Sequence, residues 1–300
     1  MVRTLTRPLP VLRDIGAMHV VVGVDGSDAG WAALSWACEE ADVSLARLTV
    51  CQPRREGPAY PSTPHISAIE LTHPVLARYV HAARRRLGGG RVSLELPIAE
   101  PIDALLDLAE RADLLVVAGH AGADPIFQAT ATRVAARSRC PVVLVRALAE
   151  HDSGAFAGHV VVGVDGSAAA QTALRFGFAH AYLHRVPLVA MHVDEGTAGD
   201  FWFDDTFLES HFVVEPEALT RLGAQIESIA DELHAQGVPV KRALYGGAPV
   251  EALRRAAVGA RLLVLGRHGH RLPAVLRLGS VSRAFAAHAN GVVAVVPETY

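Results

Sequence analysis

Nine residues, His19-Val20-Val21-Val22-Gly23-Val24-Asp25-Gly26-Ser27, return unchanged as His159 through Ser167, 140 positions later. A β-branched run closed by Gly-Val-Asp-Gly-Ser predicts a buried strand that turns sharply into a helix. A repeat at this spacing in a 300-residue chain makes two copies of one module, each near the usual domain size. In open α/β sheets ligands bind at the carboxyl ends of the strands. The repeat therefore puts a carboxylate and two flexible positions at a ligand-binding edge.

The rest of each half carries the same alternation. Strands are expected at 19–24, 47–51, 91–98, 113–118 and 142–146, with helices at 28–43, 72–87, 101–111 and 128–138 between them. The second half repeats the order, with strands at 159–164, 187–193, 238–244, 261–265 and 292–296 and helices at 168–184, 217–236, 249–258 and 280–289. Strands separated by helices call for parallel βαβ units, and runs such as Leu262-Leu263-Val264-Leu265 suit strands covered on both faces. The fold class expected is α/β, with two tandem doubly wound five-stranded sheets over modules 18–147 and 158–297. Residues 1–17 have no repeat partner and read as an N-terminal extension.

Several classes are excluded. A net charge of −3 lacks the basic footprint of a nucleic-acid binder. No apolar run is long enough to span a bilayer, and Pro8, Pro10, Arg13 and Asp14 interrupt any signal-peptide core, so a cytoplasmic location is expected. Cys38, Cys51 and Cys140 form no CxxC spacing and read as buried small hydrophobes in a reducing compartment. His268 and His270 have no further ligand at a suggestive spacing, so no metal site is expected. A Walker A loop needs a lysine by its phosphates, and the single lysine, Lys241, lies in an expected strand. GxGxxG is absent after the first strand, and an adenylating PP-loop is only faintly echoed by Asp25-Gly26-Ser27 and Asp165-Gly166-Ser167.

The chemistry sits after the fourth strand of the second half. Gly266-Arg267-His268-Gly269 is followed, nine residues later, by Gly279-Ser280 at the start of a helix. Glycines at a strand end let backbone N–H groups approach a ligand, and a helix start offers free amides and partial positive charge to an anion. Arg267, His268, Arg271 and Arg277 add positive potential. An isolated G-x2-G is more simply an ordinary loop; the whole spacing, with Asp165 after strand one, describes a phosphate cradle.

Gly266-x2-Gly269-x9-Gly279-Ser280, together with Val164-Asp165-Gly166-Ser167, resembles the ATP-binding pattern of universal stress proteins, and the resemblance covers both halves as in the tandem form. It implies strand order 3-2-1-4-5, fifth strands paired between modules, and ATP across the ends of strands one and four. Carried onto this chain, Asp165, Gly166 and Ser167 hold the adenosine end, and the backbone at His192 and Val193 meets the adenine edge. Gly266 passes the ribose, while Arg267, His268, Gly269, Gly279, Ser280, Val281 and Ser282 surround the triphosphate, whose oxygens hold Mg2+. The first half departs from the pattern. Asp25, Gly26, Gly119, Gly122 and Thr130 are its weaker counterparts, aligned with Gly119 opposite Gly266 and Ala129-Thr130 opposite Gly279-Ser280. Pro53 stands in place of Val193 and has no N–H to offer a base, and Asp124 adds negative charge. The expectation is a nucleotide in the second module and weak or no binding in the first.

No catalytic residue is expected. Ser167 and Ser280 fall where helix N-caps belong, and His180, His184, His211 and His234 have no evident carboxylate partner. The reading is a nucleotide-dependent stress-response module with an unidentified protein partner; the alternatives are a slow ATPase and a nucleotide-independent assembly module. Apolar fifth strands at the sheet edge favour a homodimer or larger homo-oligomer. The acidic and aromatic segment 194–217 is either a surface connection or a lid.

Overall fold

The computed structural model describes residues 18–56, 73–119, 125–146, 154–194, 200–201, 216–232, 237–268, 278–288 and 291–299. The first module runs β1 (His19–Gly23), α1 (Asp28–Val43), β2 (Arg47–Cys51), α2 (Pro74–Leu87), β3 (Val92–Glu95), α3 (Pro101–Ala109), β4 (Leu114–Ala118), α4 (Pro125–Arg137) and β5 (Val142–Val145). The second runs β6 (Val160–Gly163), α5 (Ala168–His184), β7 (Leu188–Asp194), β8 (Asp200–Phe201), α6 (Pro216–Glu232), β9 (Val240–Gly246), α7 (Pro249–Ala256), β10 (Leu262–Gly266), α8 (Ser280–His288) and β11 (Val292–Val296).

Local chemistry explains the element starts. Ser27 and Ser167 hold extended backbone, and their hydroxyls accept from Gly30 N and Ala170 N at 3.1 Å, capping α1 and α5. Gly26 and Gly166 take φ of +86° and +82° to make the turn before each cap, a conformation that costs glycine nothing. Pro101 and Pro249 open α3 and α7, where a missing N–H is no loss.

The strands join in one eleven-stranded sheet, β3-β2-β1-β4-β5-β11-β10-β6-β7-β9-β8. Each module keeps the expected 3-2-1-4-5 order, but the two sheets are continuous. β5 and β11 pair antiparallel, with Val143 opposite Ala294 at the centre and Val142–Val295 and Leu144–Val293 on either side. The fifth strands are thus interior, and the outer edges are β3 and β8. The two-residue β8, inside the segment read as either a surface connection or a lid, pairs antiparallel with β9 through Asp200–Tyr245 and Phe201–Leu244.

Helices cover both faces. Val20, Val21 and Val22 of β1 and their counterparts Val160, Val161 and Val162 of β6 have no exposed surface. Each such valine contributes on the order of 1.5–3 kcal/mol, which is why the repeated run is apolar without alternation. One core, with α1 and α5 on the same face, includes Leu34, Trp31, Leu174 and Phe178 and is continuous across both modules. On the other face Ala131 and Val134 of α4 share a core with Leu278, Ala286 and Val295 of the second module. No helix among the described residues is long and apolar enough to cross a membrane.

Candidate functional site

In the second module β6 lies between β10 and β7. The chain leaves β6 through α5 towards β7, and β10 stands on the opposite side. The carboxyl ends of β6 and β10 therefore flank the point where crossovers diverge, the place where a doubly wound sheet opens a crevice. Two helix starts lie at this edge. Asp165 Oδ1 accepts from Ser167 N at 3.0 Å, shaping the turn into α5. Gly279 N donates to Arg267 O at 2.8 Å, which pins the start of α8 to the end of β10. Gly279 O then accepts the first helical bond, from Arg283 N at 2.9 Å. Ser280, Val281 and Ser282 form the first turn, whose amides have no acceptor within the helix. Ser280 is thus the first helical residue, and Gly279 takes the capping place expected of it.

The side chains divide into frame and site. Ser282 is buried, and its hydroxyl donates to Gly266 O at 2.6 Å, tying α8 to β10. A Cβ on Gly266 would meet the carbonyl carbon and oxygen of Ala169 at 2.8 and 2.9 Å, so this glycine lets the start of α5 close onto β10. Arg267 sends Nη1 to Ser138 O in the first module, 2.7 Å away; its guanidinium braces the module junction. His268 follows with Nε2 buried and without a hydrogen-bond partner among the described residues. Val193 sits in β7 opposite Tyr245, and the ring of His192 ties that strand to the loop after β6 by donating from Nδ1 to Val164 O at 2.8 Å. Gly269, Arg271 and Arg277, like Gly122 and Asp124 of the first module, lie outside the described residues.

The first module places its counterparts differently. β1 pairs with β4 through Val20–Leu114, and β6 with β10 through Val160–Leu262. This register sets Ala118 opposite Gly266 and Gly119 opposite Arg267, one residue away from the alignment read on the glycines alone. Gly119 is covered by Arg146, whose Cγ and Nε would stand 2.5 and 2.6 Å from a Cβ there. Arg146 is buried and continues across the junction to donate from Nη2 to Ala286 O at 2.8 Å. Thr130 lies inside α4, which begins at Pro125, whereas Ser280 opens α8. Asp25 accepts from both Ser27 N at 3.0 Å and Ser27 Oγ at 2.6 Å. It leans over Gly30, where an added Cβ would be 2.5 Å from its Oδ1. Ala170 occupies that place in α5, a difference legible three residues after each repeated serine and missed in reading the repeat.

One further expectation is corrected and another holds. His180 and His184 do have a carboxylate partner, Glu40 of α1, brought to them across the module junction. The three cysteines are buried as expected, and burial pushes their thiols up to about 11 for Cys38, 12 for Cys51 and 11 for Cys140.

The universal stress protein family model matches residues 17–146 and again 157–297. A universal stress protein of Mycobacterium tuberculosis H37Rv is 27% identical over 282 residues, covering 88% of this chain and 92% of its own. One of Mycolicibacterium smegmatis is 28% identical over 297 residues, covering 92% and 96%. The crystal structure of a universal stress protein from Archaeoglobus fulgidus superposes with a TM-score of 0.59 over 93% of this chain and 96% of that one; at 16% identity it speaks for the fold alone. With two successive matches, relatives of its own length and the 3-2-1-4-5 sheet in each half, the chain belongs to the universal stress protein family.

Proposed function

We propose that the second module binds ATP and that the protein acts as a nucleotide-dependent regulatory module in a stress response, not as a fast catalyst. The observation that carries this reading is the pair of helix starts, α5 and α8, at the carboxyl ends of the adjacent strands β6 and β10, with Gly279 held against Arg267. Free amides and the positive end of a helix suit an anion such as a phosphate group. The unpartnered Nε2 of His268 at the same edge fits the group too, since it leaves a buried polar atom for a ligand oxygen. Asp165 and the end of β7 at Val193 would receive the adenosine portion, while Gly269, Gly279, Ser280 and Val281 would take the phosphates and their Mg2+. Ser282, Gly266 and Arg267 keep the frame.

The first module supports the asymmetry. Its α4 starts at Pro125, whose nitrogen carries no amide hydrogen, with Thr130 inside the helix, and Arg146 lies over Gly119. The serines next to the site cap or open helices, and no nucleophile–base pair is formed by the described residues there. Binding of ATP to wild type and Gly279→Ala by calorimetry tests the reading: the variant should lose at least about tenfold in affinity, equivalent to about 1.4 kcal/mol. Unchanged binding in the variant overturns it. A hydrolysis rate above about 1 per second on clean protein would favour the enzyme reading instead.

A further inference from the structure

At the far end of α5 from Ser167, about 24 Å along a helix of this length, three potential metal ligands meet between the modules. His180 and His184 stand one turn apart on α5, and Glu40 reaches them from α1. Glu40 Oε2 is 2.7 Å from His184 Nε2 and 3.3 Å from His180 Nδ1, and all three ligand atoms lie within 4.8 Å of one another. We propose that Glu40, His180 and His184 form a binding site for one divalent transition-metal ion of the zinc class, held between the two modules.

The state of His180 is the strongest argument. Its ring is 3% exposed; among the described residues Nε2 has no hydrogen-bond partner, and Nδ1 has only the 3.3 Å approach of the Glu40 carboxylate, without hydrogen-bond geometry. A buried imidazole left in this way calls for a missing partner, an ordered water or an ion. Trp36 stacks on the ring with centroids 6.0 Å apart, and Phe176 with centroids 6.5 Å apart, so apolar walls hold it aimed at the cluster. Ligands about 2.0–2.1 Å from a tetrahedral ion stand roughly 3.3 Å from one another. The Oε2–Nδ1 pair already has that spacing, and the Oε2–Nε2 pair needs to open by a fraction of an ångström. Two imidazoles and one carboxylate make a donor set suited to zinc and its neighbours and unlike the all-oxygen cages of calcium or magnesium. A water completes four-coordination.

Arg261 sets the cost of loading. Its Nη2 is 2.7 Å from His184 Nδ1 and also engages Glu39. Arginine only donates, so Nδ1 accepts and the His184 proton sits on Nε2, towards Glu40. When Nε2 takes the ion that proton moves to Nδ1, no net proton is lost, and Arg261 withdraws to Glu39. Arg261 is therefore a competitor of the metal.

Full-length protein stripped with EDTA and titrated with zinc alone tests the site, with cobalt as a spectroscopic probe. One zinc per chain is expected, with cobalt bands of a four-coordinate nitrogen–oxygen site. Affinity should drop at least about 100-fold in His180→Gln and in Glu40→Gln and should rise in Arg261→Gln. Zinc should raise the melting temperature of wild type and leave that of folded His180→Gln unchanged. No stoichiometric zinc, or zinc bound equally by wild type and the folded His180→Gln and Glu40→Gln variants, an adventitious ion only, overturns the proposal.

Discussion

Asp25 and Asp165 occupy the same place in an identical nonapeptide, yet their settings differ because of a residue outside it. The hydrogen of Gly30 leaves room for the Asp25 carboxylate above the start of α1, where it takes two bonds from Ser27. Ala170 fills that room in α5, and Asp165 keeps the bond from Ser167 N. His19 and His159 diverge as well. His19 lies in a chain from Arg111 O through its ring to Thr49 and Ser93, whereas His159 bonds Ala157 O. Burial lowers the His19 pKa below its usual 6.5, so the unfolded chain takes up a proton more readily than the native one. The stability this group contributes is complete above pH 6.5 and is lost as pH falls below it. Denaturation midpoints at pH 7.5 and 5.5 should therefore fall further apart in wild type than in His19→Gln; equal or smaller separation in wild type contradicts this. The thiols give a second residue-scale prediction. With their pKa values pushed up to about 11, 12 and 11, Cys38, Cys51 and Cys140 should resist a thiol reagent at pH 8 in the native protein and react after unfolding.

At the scale of elements, the strands were the most legible part of the chain. Runs such as Val292 to Val296 are buried on both faces, and burial of a whole run leaves an unbroken apolar signature. Helix starts were readable where a serine cap or a proline stands, as at Ser27, Ser167, Pro101 and Pro249. The register after strand four was not, because Gly119-x2-Gly122 copies a spacing while the pairing of β4 with β1 decides the position. Nor could the sequence reveal that Arg267 points away to Ser138, or that Glu40 meets His180, since both contacts cross the module junction. Gly266 and Gly119 differ in what an added methyl would meet. Gly266→Ala drives a methyl into the Ala169 backbone and should cost about 1–3 kcal/mol, lowering the melting temperature by several degrees. Gly119→Ala drives a methyl into Cγ and Nε of the buried Arg146 and should also lower the melting temperature in a calorimetric scan, by displacing the side chain that reaches Ala286 O.

At the scale of the whole molecule, the β5–β11 pairing turns a duplication into one body. Two cores, one on each face of the sheet, include residues of both modules, while a third around Val161, Met191 and Leu263 belongs to the second module alone. Scanning calorimetry should show a single cooperative transition; two well-separated transitions would contradict the shared core. Pairing within the chain also places both fifth strands inside the sheet, so further association, if it uses a strand, passes through β3 or β8. The copies also differ at the junction: Arg146 and Arg267 each cross it, and Arg146 lies over Gly119 at the end of β4. The central claim is that only the second copy is a nucleotide site. Nucleotide recovered from purified wild-type protein, identified and counted per chain at saturating ATP, tests it most directly. One ATP per chain, lost in Gly279→Ala, is the predicted result; two equivalent tightly held nucleotides per chain, or none at saturation, would contradict it.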